Sequence, residues 1–242
     1  MVVERLGMKL MGLMVAGPRS RAVLAALTDH DVSNAALRFM DHRAMDVGGV
    51  PALVNRLSYT GDLGYEIWVE PCTLRTLYRA VKEAGAVEGI VDFGMRALLS
   101  MRLEKNWPTW FAELRPIYGA AEGGMERFVR LSKDFVGRDA AVREAEEGPR
   151  LRRVSLAIEA ENADVMGDEP IWARVARDYG AVPPPHGTGA PRFGGDGVPV
   201  PAADARIDAD WRVVGWVTSG GYGHSVALSL AQGYLPAALA GR

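Results

Sequence analysis

The chain has 242 residues, 48% of them hydrophobic and 24% charged, a formal net charge of -2 and one cysteine. That length supports one large or two small domains with real cores. The near-neutral charge carries no signature of nucleic-acid binding, and a lone cysteine excludes an intrachain disulfide framework and fits a reducing, cytoplasmic compartment. No apolar run reaches the ~18 residues that a spanning helix needs, so no membrane partner is expected. The start, Met1-Val-Val-Glu-Arg-Leu-Gly-Met-Lys9, carries charge within its first residues and does not read as a signal peptide. Cys72 has no histidine nearby in sequence and reads as a packing residue rather than a nucleophile.

In chain order, residues 9–16 read as a buried strand. Gly17-Pro18 opens a helix to about Leu27, with proline at a permitted first-turn position. A polar, turn-rich stretch, Thr28-Asp-His-Asp-Val-Ser-Asn34, follows. Leu53-Val-Asn-Arg-Leu57 and Ile67-Trp-Val69 then flank Tyr59-Thr-Gly-Asp-Leu-Gly-Tyr-Glu66 as strand, tight turn, strand. Leu74, Leu77, Tyr78, Val81 and Ala84 fall at helical spacing, with Gly85 as the cap. A second helix runs from Asp92, its expected N-cap, to Lys105, and Pro108 stops it. Residues 138–153 read as a helix plus connector. Beyond them, Arg153-Val-Ser-Leu-Ala-Ile-Glu159, Ile171-Trp172, Val213-Val-Gly-Trp-Val-Thr218 and Val226-Ala-Leu-Ser-Leu-Ala231 are strand candidates of a small antiparallel β-domain. Residues 179–208 are rich in Pro, Gly, Asp and Ala and read as a flexible surface insertion. The fold class is α+β.

The stretch 59–66 carries the most chemistry. A carboxylate on a strand just past a glycine turn can face a pocket, and a nearby ring can stack on a flat heterocycle. That pairing suits a pterin better than a sugar or a metal. The same residues also make an ordinary hairpin turn. His30, His42 and His186 show no metal-ligand spacing with one another or with Cys72. Gly220-Gly-Tyr-Gly223 is not a phosphate loop, since no Lys-Ser/Thr follows it. His224, beside that run, is taken as structural. Trp107 and Trp110 either wall a pocket or plug a domain core.

Five segments in register carry a resemblance: Ala16-Gly-Pro-Arg-Ser20, the stretch 59–66, Arg102-Leu-Glu-Lys105, Lys133-Asp-Phe-Val-Gly-Arg138 and Val214-Gly-Trp-Val-Thr-Ser-Gly-Gly-Tyr-Gly-His224. Asp164-Val-Met-Gly-Asp-Glu-Pro-Ile171 and Gln232-Gly-Tyr-Leu-Pro236 add to it. The chain resembles the glycine-cleavage T-protein (aminomethyltransferase) family, and within it the C-terminal folate-binding portion of sarcosine and dimethylglycine dehydrogenases. The resemblance implies a partial folate-binding domain over residues 1–140, then a small antiparallel β-barrel domain over residues 141–242 that contains the insertion. It implies tetrahydrofolate as the acceptor of a one-carbon unit, and FAD only on a missing domain or a partner. The partner would be an FAD-containing dehydrogenase subunit or a second copy of the chain.

By the resemblance, Glu66 accepts hydrogen bonds from the amino group and ring N–H of the pterin, and Tyr59 packs beside the ring. The family places an arginine at the position occupied here by Leu98. Arg96, six residues before Arg102 rather than four, is the candidate contact instead, although a two-residue offset turns a side chain by about 200°. Arg102 and Glu104 are read as structural. The family's essential aspartate lies upstream of the segment matched here, and Asp41, Asp46 and Asp62 do not correspond to it, so no general base is assigned. The alternatives are a stand-alone T-protein-like transferase and a non-catalytic remnant that binds folate or stabilises a partner.

Overall fold

A computed structural model describes residues 3–160, 163–174 and 211–241. The expected insertion at 179–208 lies outside the described residues. The chain divides into two compact units, Met1–Lys105 and Asn106–Arg242.

The first unit is built on a four-stranded antiparallel sheet formed by β1 (Met11–Ala16), β2 (His42–Val47), β3 (Val50–Asn55) and β4 (Gly64–Val69), in the order β1-β4-β3-β2. Its helices are α1 (Ser20–Ala25), α2 (Leu74–Gly85) and α3 (Met95–Glu104). The strands alternate as a half-covered sheet must. Val15, Val54, Tyr65, Ile67 and Val69 point to one face and join Leu24, Leu77 and Val81 in a single core. Leu77 and Val81 stand one helical turn apart and form the buried stripe of α2.

Several expected boundaries move. The connection before β4 is no tight turn: β3–β4 pairing ends at Asn55↔Glu66, and residues 56–63 loop between them. The cause is Arg56, whose backbone leaves β4 to exchange hydrogen bonds with Met40 and Asp41 at 3.0 and 2.9 Å. Gly85 ends α2 without capping it; a short 3-10 turn follows and Gly89 takes the left-handed conformation, φ 71°, which costs glycine little. Asp92 does not cap α3, which starts after an extended Gly94. Its Oδ2 instead accepts hydrogen bonds from Tyr78 Oη and Lys82 Nζ, both at 3.1 Å. The first helix is shorter than expected, closing at Ala25.

The second unit holds α4 (Arg138–Glu147), β5 (Leu151–Ile158), β6 (Pro170–Arg174), β7 (Trp211–Gly223) and β8 (Leu228–Pro236). Its described strands form an antiparallel sheet in the order β5-β8-β7-β6. Leu151, Trp216 and Tyr234 are its buried centre, and Tyr118 stacks on Tyr234 with ring centroids 3.6 Å apart. The α+β class and the antiparallel character of the C-terminal region are as expected. Trp110 is 74% exposed, so it plugs no core; Trp107 is half-buried and its carbonyl accepts from Gln232 Nε2 at 3.5 Å. Cys72 is also exposed, contrary to the packing role expected of it, because it sits in the short 3-10 turn before α2.

Candidate functional site

The period of two along β4 sends Tyr65, Ile67 and Val69 into the core and leaves Glu66 and Trp68 on the opposite face. Glu66 is half-buried there, paired in register with Met14 of β1 and Asn55 of β3. Trp68 pairs with Gly12 and Leu53. Its indole Nε1–H donates to Glu66 Oε2 at 3.2 Å. Gly12 is what lets the ring lie there: a Cβ built on it would stand 3.0 Å from both Cδ2 and Cε3 of Trp68. The result is a half-buried carboxylate, tethered on one oxygen, on a face bordered by an amide, a thioether and an aromatic ring. A carboxylate has about four lone-pair positions, so acceptor capacity remains on both Glu66 oxygens.

Tyr59 is half-buried in the loop that precedes β4. That loop is tied down locally. The Ser58 and Thr60 hydroxyls are 2.7 Å apart, and Asp62 N–H donates to Thr60 Oγ1 at 3.3 Å. Lys105 Nζ pairs with Asp62 Oδ1 at 3.1 Å, holding the C-terminal end of α3 against the loop. Arg96 is exposed near the N-terminal end of the same helix, about 13 Å of helical rise from Lys105. Leu98, the position where the family resemblance calls for an arginine, is buried in this chain.

Two cavities border β1. One, about 380 Å³, is lined by Gly12, Met14, Tyr78, Phe93, Met95 and Leu98 among others. The second, about 370 Å³, is lined by Ala16, Pro18, Thr60, Asp62, Ala97 and Met101 among others. Met14 and Gly12 thus belong both to the wall of the first cavity and to the sheet face carrying Glu66. Tyr59, Glu66 and Arg96 line neither cavity.

Of the acids considered as bases, Asp41 accepts the Arg38 N–H at 2.8 Å, which holds its carboxyl below the ordinary range. Asp62 is the ion-paired loop residue, and Asp46 is exposed on edge strand β2. Among the described residues no group of three or more His, Cys, Asp or Glu is placed to hold a metal ion, and no helix is long and apolar enough to cross a membrane. Sequence reasoning missed Trp68 and Gly12. The available signals were the spacing of two between Glu66 and Trp68, and a glycine inside an otherwise apolar strand, which marks close approach of a neighbour.

The fold is that of an aminomethyltransferase: the crystal structure of glycine cleavage system aminomethyltransferase T from Bartonella henselae superposes with a TM-score of 0.62 at 23% identity, covering 95% of this chain and 52% of that one. Residues 1–133 match the family described as GCVT N-terminal domain, and the chain belongs to that family. It is 34% identical over 229 residues to the mitochondrial dimethylglycine dehydrogenase of Mus musculus, covering 94% of this chain and 22% of that protein. It is 37% identical over 171 residues to the mitochondrial sarcosine dehydrogenase of Mus musculus, covering 70% of this chain and 18% of that protein. The chain therefore spans about a fifth of the length of these dehydrogenases and about half that of the aminomethyltransferase.

Proposed function

We propose that the chain is the tetrahydrofolate-binding, one-carbon transfer module of an enzyme that demethylates N-methyl amines of the sarcosine or dimethylglycine type. The observation that carries this is Glu66, a half-buried carboxylate on the open face of β4 with acceptor positions still available. A pterin presents an amino group and a ring N–H side by side, and a carboxylate receives such a pair as it receives the two arms of a guanidinium. Asn55, directly across the strand, offers a further donor and acceptor. Tyr59 would supply ring contact from the loop. Arg96 would meet the acidic tail from outside, consistent with its exposure. Tetrahydrofolate supplies the nucleophilic nitrogens that accept the one-carbon unit; Glu66 and its neighbours bind and orient it. FAD chemistry would come from a partner or from another portion of a longer polypeptide. Residues 1–140 would form the aminomethyltransferase-type domain, in keeping with the family match ending at residue 133, and residues 141–242 the β-barrel domain that follows it. Resemblance to both dehydrogenases and aminomethyltransferases also keeps a stand-alone transferase in view, which turnover without any flavoprotein would establish.

The test is anaerobic tetrahydrofolate titration of the chain, alone and mixed with an FAD-containing dehydrogenase chain of this type. The expected result is saturable binding that Glu66→Gln weakens by tenfold or more, since the loss of a charge-assisted acceptor covered by the bound ligand costs about 1–3 kcal/mol. Equal binding by parent and variant under both conditions would refute the reading.

A further inference from the structure

We propose that Trp68 is a positioning residue for Glu66, setting the plane of its carboxylate for a ligand, and that Gly12 is the seat that makes this possible. The proposal rests on the reading of Glu66 as a pterin contact. An exposed glutamate on a sheet face samples several rotamers, each presenting a different pair of oxygens. Here the indole N–H takes one lone pair of Oε2 at 3.2 Å, which leaves Oε1 and the remaining lone pair of Oε2 as acceptor positions. The indole is itself fixed. It lies against β1 at the one position where no side chain stands, and a methyl group there would meet Cδ2 and Cε3 at 3.0 Å and Cε2 at 3.3 Å. A phenyl ring at position 68 would fill most of that space and donate nothing, so the packing and the hydrogen bond are separable.

The first measurement uses the ligand-free chain. Among the indole N–H resonances of its six tryptophans, the one that disappears in Trp68→Phe belongs to Trp68. Glu66→Gln is expected to move that resonance while the others stay in place, and Gly12→Ala to move it likewise by lifting the ring. The second measurement is tetrahydrofolate affinity. Trp68→Phe and Gly12→Ala are each expected to weaken binding by about tenfold, while Trp110→Phe, at an exposed site in the other unit, leaves it unchanged. If Glu66→Gln weakens binding and Trp68→Phe does not, the positioning role is overturned and the Glu66 reading survives. A Trp68 resonance indifferent to Glu66→Gln also overturns it. If the parent chain binds no tetrahydrofolate in either state of assembly, both readings fall together. Should Trp68→Phe not fold, Gly12→Ala carries the decision.

Discussion

Removal of Glu113 should cost the second unit heavily. Its side chain is fully buried. Oε2 accepts the Thr109 N–H at 2.9 Å, while Oε1 accepts the Thr218 hydroxyl at 2.7 Å and the Ser219 hydroxyl. Its backbone carbonyl accepts Tyr234 Oη at 2.8 Å. Two successive strand residues normally point to opposite faces; here the register shifts between Val217 and Ser219, and the bulge brings both hydroxyls to one oxygen. Each such bond stabilises by about 1–3 kcal/mol, and the Thr109 N–H and Ser219 hydroxyl, once deprived of the carboxylate, cost about as much again, while the Thr218 hydroxyl keeps the Gln232 carbonyl at 3.0 Å as an acceptor. Allowing for non-additivity, Glu113→Ala should destabilise the unit by about 3–5 kcal/mol. Glu113→Gln keeps one acceptor oxygen and lets the hydroxyls rotate toward its amide, so about 1–2 kcal/mol is expected. Urea unfolding followed by fluorescence reads both, with the midpoint falling at unchanged slope. In a double-mutant cycle, Thr218→Val should cost less in the Glu113→Ala background than alone, the remainder being the bond its hydroxyl makes to the Gln232 carbonyl at 3.0 Å. A Glu113→Ala midpoint within about 0.5 kcal/mol of the parent would refute the network's weight.

Two further outcomes are expected from the same unit. Gly215→Ala would place a Cβ 2.1 Å from the Tyr234 carbonyl oxygen; the neighbour is backbone, so β7 and β8 must separate, at about 3 kcal/mol by thermal or urea unfolding, and a neutral substitution would contradict the close approach. Burial pushes the Tyr118 phenol from 10.0 up to about 12, and burial together with Tyr118 pushes Tyr234 up as well. Both phenols stay protonated in the fold while the unfolded chain ionises near pH 10, so their contribution is intact below pH 10 and is lost as pH rises toward about 12. Absorbance titration at alkaline pH should show Tyr118 ionising late or together with loss of the fold; its ionisation near pH 10 with circular dichroism unchanged would refute the assignment.

What was legible in the sequence was what periodicity encodes. The ends of α2 fall where Leu77, Val81 and their neighbours predict, and Glu66 lies on a strand as its alternation with Tyr65 and Ile67 requires. The strands of the second unit were legible in part for the same reason, although the one expected at 226–231 starts at Leu228 and runs on to Pro236. What escaped was set by partners distant in the chain. Arg56 is drawn away by Met40 and Asp41, so a loop replaces the tight turn. Asp92 is claimed by Tyr78 and Lys82 of α2 rather than by the helix it precedes. Glu113 meets Thr218 across more than a hundred residues, through a bulge that no local pattern announces. Trp110, read as either a pocket wall or a core plug, lies exposed, so it is not the core plug.

The two faces of β4 meet different demands. With Tyr65, Ile67 and Val69 each at 1% exposure or less, a one-residue slip of β4 would exchange three core side chains for a carboxylate and an indole, so the register is fixed by burial. Glu66 and Trp68 are therefore held outward by the core behind them, not by any demand of their own. Nothing in that constraint requires position 66 to be acidic, or position 68 to be an indole with a bare glycine beneath it. Among the described residues no cation forms a salt bridge with Glu66, and the Trp68 indole N–H donates to it. A threonine or a valine on this face would serve the sheet better, since β-branched residues suit strands and glutamate does not. Strand propensity does not account for a carboxylate here, steadied by one ring N–H with acceptor positions remaining; the proposed contact with a ligand bearing paired donors would.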